Sequence, residues 1–186
     1  MKKDFSRWTG EKKRSSDLTG GRKIRLALIA ALFISIILIS ACGSQKPDIS
    51  AYQDMKIHVT GLGEEDFDIT PAELIQMDCV SGSSEGSSEK AGTVTGYGPT
   101  LDTFLSHYGK ERSNFDKIRF TGKDGYKKTL WGELLDSDKI LLSISGGKDP
   151  LSESETPLRL IVPGQESSYW VYGVTQIDFI NEEKAQ

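Results

Sequence analysis

The chain is short of the residues from which most catalytic and metal centres are built. Its 186 residues include two histidines, His58 and His107, and two cysteines, Cys42 and Cys79. A structural zinc site takes about four such ligands at short, regular spacings, and these four stand at no recognisable spacing. Two solvated histidines are the expectation. The glycine pairs Gly61-Leu62-Gly63 and Gly96-Tyr97-Gly98 each lack the third glycine of a dinucleotide cradle, since Asp66 and Leu101 stand in its place. Both are expected to be turns. No nucleophile elbow is read, and neither histidine has the context of a catalytic base. Glu64-Glu65-Asp66 reads as a solvated run of carboxylates.

Charge is missing where it would normally be mixed. Nine of the 23 Lys/Arg and three of the 27 Asp/Glu lie in residues 1–25, and residues 26–41 carry none. That leaves 14 basic and 24 acidic side chains from Cys42 onward, a net of −10. The uncharged run is Leu-, Ile- and Ala-rich but covers only 16 residues, fewer than the ~20 that a membrane-spanning helix needs. A basic start, a short apolar run and small residues at its end form the pattern of a cleavable export signal. The acidic remainder, read as having no Lys/Arg cluster, argues against nucleic acid and against an anionic membrane surface held by charge.

Ile39-Ser40-Ala41-Cys42 resembles the lipobox of bacterial lipoproteins. The resemblance implies cleavage before Cys42, lipid on its sulfur with acyl chains such as palmitate, and an extracytoplasmic place on the cell membrane. Each buried CH₂ of those chains contributes ~0.8 kcal/mol. Cys79 is then left with no disulfide partner. The expected organisation is a signal peptide at 1–41, a lipidated tether at 42–50 of polar, Pro-containing composition, and one domain at 51–186.

Within that domain, Ile57 and Val59 alternate with polar neighbours as in a half-buried strand. Thr70, Pro71 and Glu73 form a capping-box signature that starts a short helix through Met77. Residues 81–92, nearly without apolar side chains, read as an exposed loop. A strand at 93–97 is followed by an amphipathic helix over 99–108, with Gly109 as its stop. Residues 117–121 and a second extended piece to Leu130 form a hairpin around Lys123-Asp124-Gly125-Tyr126. Strands at 140–144, 158–162 and 170–180 complete six or seven strands with two or three short helices, an α+β fold of mixed β-sheets.

The order of motifs resembles the sulfite oxidase family's molybdopterin-binding domain. The carrying pieces are residues 57–61, the helix at 71–77, Gly96 through Leu101, Asp124-Gly125-Tyr126, Pro157-Leu158-Arg159 leading to Val162-Pro163-Gly164, and Gln176-Ile177-Asp178. The resemblance implies a molybdenum pterin held by a cysteine thiolate and by basic and polar groups. A soft sulfur donor suits such a metal, and Cys79 is the residue available. Arg159, Tyr126 and Tyr172 are the implied cofactor contacts. Two departures fall on the chemistry: Cys79 follows the first helix almost at once, and Ser167 to Tyr172 supplies no Lys or Arg where catalytic relatives carry both. The leading expectation is a binding or redox-accessory module for a small ligand or membrane redox partner, with Tyr97, Tyr126, Tyr169, Trp170 and Tyr172 as the place to look. The alternatives are a molybdopterin-dependent oxidoreductase using Cys79, and a purely structural envelope lipoprotein.

Overall fold

In the computed structural model, the described residues are 46–86, 92–137 and 139–181, all within the unit Gln45–Gln186. The residues expected to form an export signal, and Cys42, lie outside them.

Alternation builds the main sheet. Strand β1 (Ile57–Thr60) turns Ile57 and Val59 inward and His58 outward. β2 (Phe67–Ile69) runs back along one side of it, pairing Ile57 with Ile69. β9 (Val174–Ile180) lies along the other side, parallel to β1, with Val59 beside Ile177. β5 (Lys117–Gly122) joins β9 antiparallel, pairing Ile118 with Phe179 and Phe120 with Ile177. β6 (Lys127–Trp131) completes the order β2-β1-β9-β5-β6. In this register the apolar members of every strand share one face, so a one-residue slip would turn the whole set toward water. Gly125, at φ +83°, closes the β5–β6 turn, a conformation that costs glycine little.

Two short helices pack on that apolar face. The capping box read at Thr70 is formed: its hydroxyl accepts from the Glu73 amide and the Glu73 carboxylate accepts from the Thr70 amide, at the start of α1 (Pro71–Leu74). The helix ends earlier than Met77. α2 (Leu101–His107) is capped by Thr100 and buries Leu101, Phe104 and Leu105. Gly109, at φ +67°, ends it. Phe104 stacks on Phe179 at 6.2 Å between ring centroids, which joins helix to sheet.

Two hairpin-like pairs form the rest. β3 (Cys79–Glu85) pairs along its full length with β4 (Thr93–Pro99), and β7 (Leu141–Ser143) pairs with β8 (Arg159–Ile161). Val94, Leu141, Ile161 and Trp170 make a second apolar cluster where the two pairs meet. The fold is α+β with mixed sheets.

Three expectations need correction. Residues 81–85 are strand, and the connection is shorter than the loop read from composition. The ladder is made by backbone groups, so a run of serine and glycine carries it without apolar side chains. Gly96 and Gly98 are not turn residues but lie buried inside β4. A Cβ on Gly96 would stand 2.4 Å from the Ser143 hydroxyl, and one on Gly98 would stand 2.0 Å from the Leu142 carbonyl oxygen. Their role is close crossing of two backbones. Finally, the folded body begins before Ala51: Ile49, assigned above to the tether, is buried in the main core, and the Lys46 amine donates to the Ile75 carbonyl at 3.4 Å.

Candidate functional site

Cys79 is the first residue of β3, opposite Pro99 on β4. It therefore does occupy its own strand, and the short α1 is what makes the spacing look compressed in sequence. The sulfur is half-buried rather than sealed: Val80 beside it is 44% exposed. Its thiol lies 3.5 Å from the Leu74 carbonyl, to which it donates. Burial pushes the Cys79 thiol above its usual range, Lys46 opposes that and Asp78 reinforces it, while a hydrogen bond from Tyr97 favours the thiolate. Burial likewise raises the Tyr97 hydroxyl, with Cys79 adding to the effect. Val80 turns outward and does not close the sulfur into the core.

Arg159 is 5% exposed, with its two terminal nitrogens engaged within the fold and its Nε buried without a hydrogen-bond partner. One arm donates to the Glu155 carboxylate at 2.5 Å and another donates to the Thr95 carbonyl. Glu155 also accepts from the Ser152 amide and hydroxyl. Burial by itself would raise the Glu155 carboxyl; the Ser152 bonds and the Arg159 charge outweigh it and hold the group below the ordinary range. Thr95 faces Ser83 in the β3–β4 ladder, four residues along from Cys79. At ~3.3 Å per residue, the Thr95 carbonyl that takes the guanidinium lies about 13 Å along the ladder from Cys79. The two residues are not brought into one cleft.

The aromatic group is dispersed. Tyr97 borders the main core near Cys79, and Trp170 is buried in the second cluster. Tyr126 and Tyr172 are each 43% exposed. The Tyr126 hydroxyl donates to the Ser168 carbonyl at 2.6 Å, and Lys128 sits 3.2 Å over the Tyr169 ring. These contacts tie the β5–β6 turn to the segment after Pro163-Gly164. The Trp170 indole nitrogen is buried with no hydrogen-bond partner.

The remaining motifs resolve plainly. His58 bonds Asp68 at 3.0 Å on the sheet surface, and Asp68 also takes the Lys56 amine at 2.9 Å. Hydrogen bonds from His58 and Lys56 hold the Asp68 carboxyl below its ordinary range. Gly82-Ser83-Ser84-Glu85-Gly86 does spell Gly-x-Ser-x-Gly, a match missed in reading the sequence. It lies on the extended β3, with the Ser84 hydroxyl buried and unpartnered, not on the strand-to-helix turn that exposes a nucleophile. Among the described residues no group of three or more His, Cys, Asp or Glu is placed to hold a metal ion.

The donor set meets half of what a molybdenum pterin requires. A half-open thiol at the head of a strand suits a soft metal, and metal binding displaces the proton that burial favours. The pterin's phosphate calls for charge-assisted donors. Lys46 is the cation whose field reaches Cys79, and Arg159 is committed to Glu155. Among the described residues, Ser167 to Tyr172 offers no Lys or Arg for the phosphate-bearing group, and a further cation, Lys139, lines a cavity of about 280 Å³ with Val80 and Pro163.

The structure defines an α+β domain of mixed sheets with one half-open thiol at the head of β3. Residues 45–186 match the family described as the oxidoreductase molybdopterin-binding domain, and the chain belongs to that family. No curated protein matches the chain. Among solved structures, the sulfane dehydrogenase SoxCD from Paracoccus pantotrophus is similar in fold at a TM-score of 0.57 and 18% identity. The match covers 77% of this chain and 42% of that chain, so it spans about two fifths of its neighbour.

Proposed function

We propose that the chain is cut before Cys42, held by lipid on that cysteine at the outer face of the cell membrane, and that its molybdopterin-type domain serves as a binding or redox-accessory module rather than as an oxidoreductase. The observation that carries this reading is Arg159. The one cation that matches the family pattern is closed inside the fold by Glu155 and Thr95, and the positions after Pro163-Gly164 hold Tyr169, Trp170 and Tyr172 instead of basic residues. Losing charge-assisted bonds to a phosphate gives up about 1.5–3 kcal/mol each. The lipid anchor rests on the basic start, the 16-residue apolar run and the Ile39–Cys42 motif.

A second reading, a molybdopterin-dependent oxidoreductase with Cys79 as metal ligand, is favoured by the half-open thiol at the head of its own strand. Metal analysis separates the two. The chain is produced in a host that makes molybdenum cofactor, and molybdenum and pterin are measured per chain for the native protein and for Cys79→Ser. The accessory reading expects far less than one metal per chain and no difference between them. Stoichiometric molybdenum that disappears in Cys79→Ser would establish the oxidoreductase instead. Labelling with radioactive palmitate that is lost in Cys42→Ala tests the anchor separately.

A further inference from the structure

The acidic domain, expected to hold no cluster of cations, does hold one in a single stretch of chain. Five of the 14 Lys/Arg beyond Cys42 lie in residues 117–131, against the single acid Asp124. This stretch is the β5–β6 hairpin, net +4 in a domain of net −10. Alternation sends Ile118, Phe120 and Leu130 into the core and leaves Lys117, Arg119, Thr129 and Trp131 on the opposite face. In register, Lys117 stands across from Trp131 and Arg119 across from Thr129. Together the four line an open groove of about 340 Å³. Trp131 is 60% exposed, the most open large apolar side chain among the described residues.

We infer that this groove binds an anionic polysaccharide, with a sugar ring laid on the Trp131 indole and its carboxylate or phosphate held by Arg119 and Lys117. An indole so exposed gains little from burial in the domain itself, whereas a flat ring partner would use its whole face. A guanidinium pairs with a carboxylate or phosphate through two parallel bonds, and the Thr129 hydroxyl both donates and accepts. Asp178 on β9 flanks Arg119, but its carboxylate already accepts from Thr60 and Gln176. The lining residues belong to the sheet face and not to the outer edge of β6, so the site is not built for adding a peptide strand.

An anionic membrane is the other candidate surface for tryptophan with cations, and the chain's entry point argues against it. Ile49 packs in the core and Lys46 meets Ile75, just beyond α1, so the described chain begins on the helix side of the sheet. The groove opens on the other side. Choosing a glycan over nucleic acid rests on the extracytoplasmic reading of the export segment; the groove itself depends on neither Cys79 nor lipid.

The test uses the chain from residue 42 onward, whose tryptophans are Trp131 and the buried Trp170. Binding is measured by titration calorimetry for native chain and variants, with the tryptophan fluorescence of the native chain followed alongside, using polygalacturonate, its neutral methyl ester, poly-glutamate, a single-stranded oligonucleotide and anionic phospholipid vesicles. Polygalacturonate is expected to quench saturably and to weaken steeply with salt. Its affinity should fall about tenfold in Arg119→Gln and in Trp131→Ala, with melting temperatures unchanged, and its neutral ester should bind about tenfold more weakly. No binding, equal or tighter binding of poly-glutamate, oligonucleotide or vesicles, or native affinity in both variants would each overturn the assignment. None of these outcomes bears on the molybdenum measurement.

Discussion

At the scale of single residues, Arg159 illustrates how one neighbour can hold a buried cation inside the fold. Its guanidinium is almost fully buried, and what keeps it there is Glu155, four positions earlier and itself fixed by Ser152. Burying a charge is tolerable only when it is paired, and removing one partner of such a pair costs about 3–5 kcal/mol. Glu155→Gln should therefore destabilise the domain by about 3 kcal/mol, a fall in Tm of roughly 10 °C. The pH dependence has a definite sign. The Glu155 carboxyl titrates below its unfolded value, so its contribution is complete above the ordinary glutamate range and is lost as pH falls through the lower, folded value. Melting curves of native and variant protein should lie furthest apart at neutral pH and converge toward acid. A constant gap from neutral to strongly acid pH would mean that Glu155 acts by shape and not by charge. The sequence gives Arg159 through its Pro-Leu-Arg context, but its partner is invisible there, because only the turn around Ser152–Thr156 folds Glu155 back onto it.

At the scale of elements, the β3–β4 pair depends on the absence of side chains. Gly98→Ala would drive a Cβ to 2.0 Å from the Leu142 carbonyl oxygen, a backbone atom that cannot step aside, whereas at Gly82 the nearest atom is the end of the Leu141 side chain at 3.3 Å. Overpacking of the first kind costs about 3 kcal/mol and the second is felt far less. Urea unfolding should show a large drop in midpoint for Gly98→Ala and a small one for Gly82→Ala; equal effects would mean that β4 and β7 separate to make room. The same glycines explain what the sequence hides. Strands β1, β5 and β9 are legible because a half-buried strand repeats every two residues. β3 has no such signature, since Ser81 and Ser83 are exposed, Gly82 has no side chain, and the strand is held by its backbone ladder to β4. Charge patterning fails for a related reason: Lys117 and Arg119 look like ordinary polar alternation until register sets Trp131 and Thr129 beside them.

At the scale of the whole molecule, composition divides the chain into expected leader, tether and domain, but a polar stretch does not reveal which of its residues is an anchor for the fold. Lys46, Pro47, Asp48 and Ser50 read as linker, and Ile49 among them is a core residue at 6% exposure. Just after it, the Tyr52 hydroxyl donates to the Ile144 carbonyl at 2.8 Å and accepts from the Leu151 amide at 3.0 Å, so the entering chain is fastened to the β7 region across about a hundred positions of sequence. A chain starting at Ala51 keeps the tyrosine and loses the isoleucine. Full burial of one such side chain contributes about 1.5–3 kcal/mol, which predicts a Tm lower by roughly 5–10 °C than that of a chain starting at Gln45. Ile49→Ala in the longer chain should reproduce most of that loss, whereas Asp48→Ala, at an exposed position, should reproduce little of it. Equal melting temperatures for the two starting points would show that the segment lies on the domain without stabilising it, and would return the boundary to Ala51.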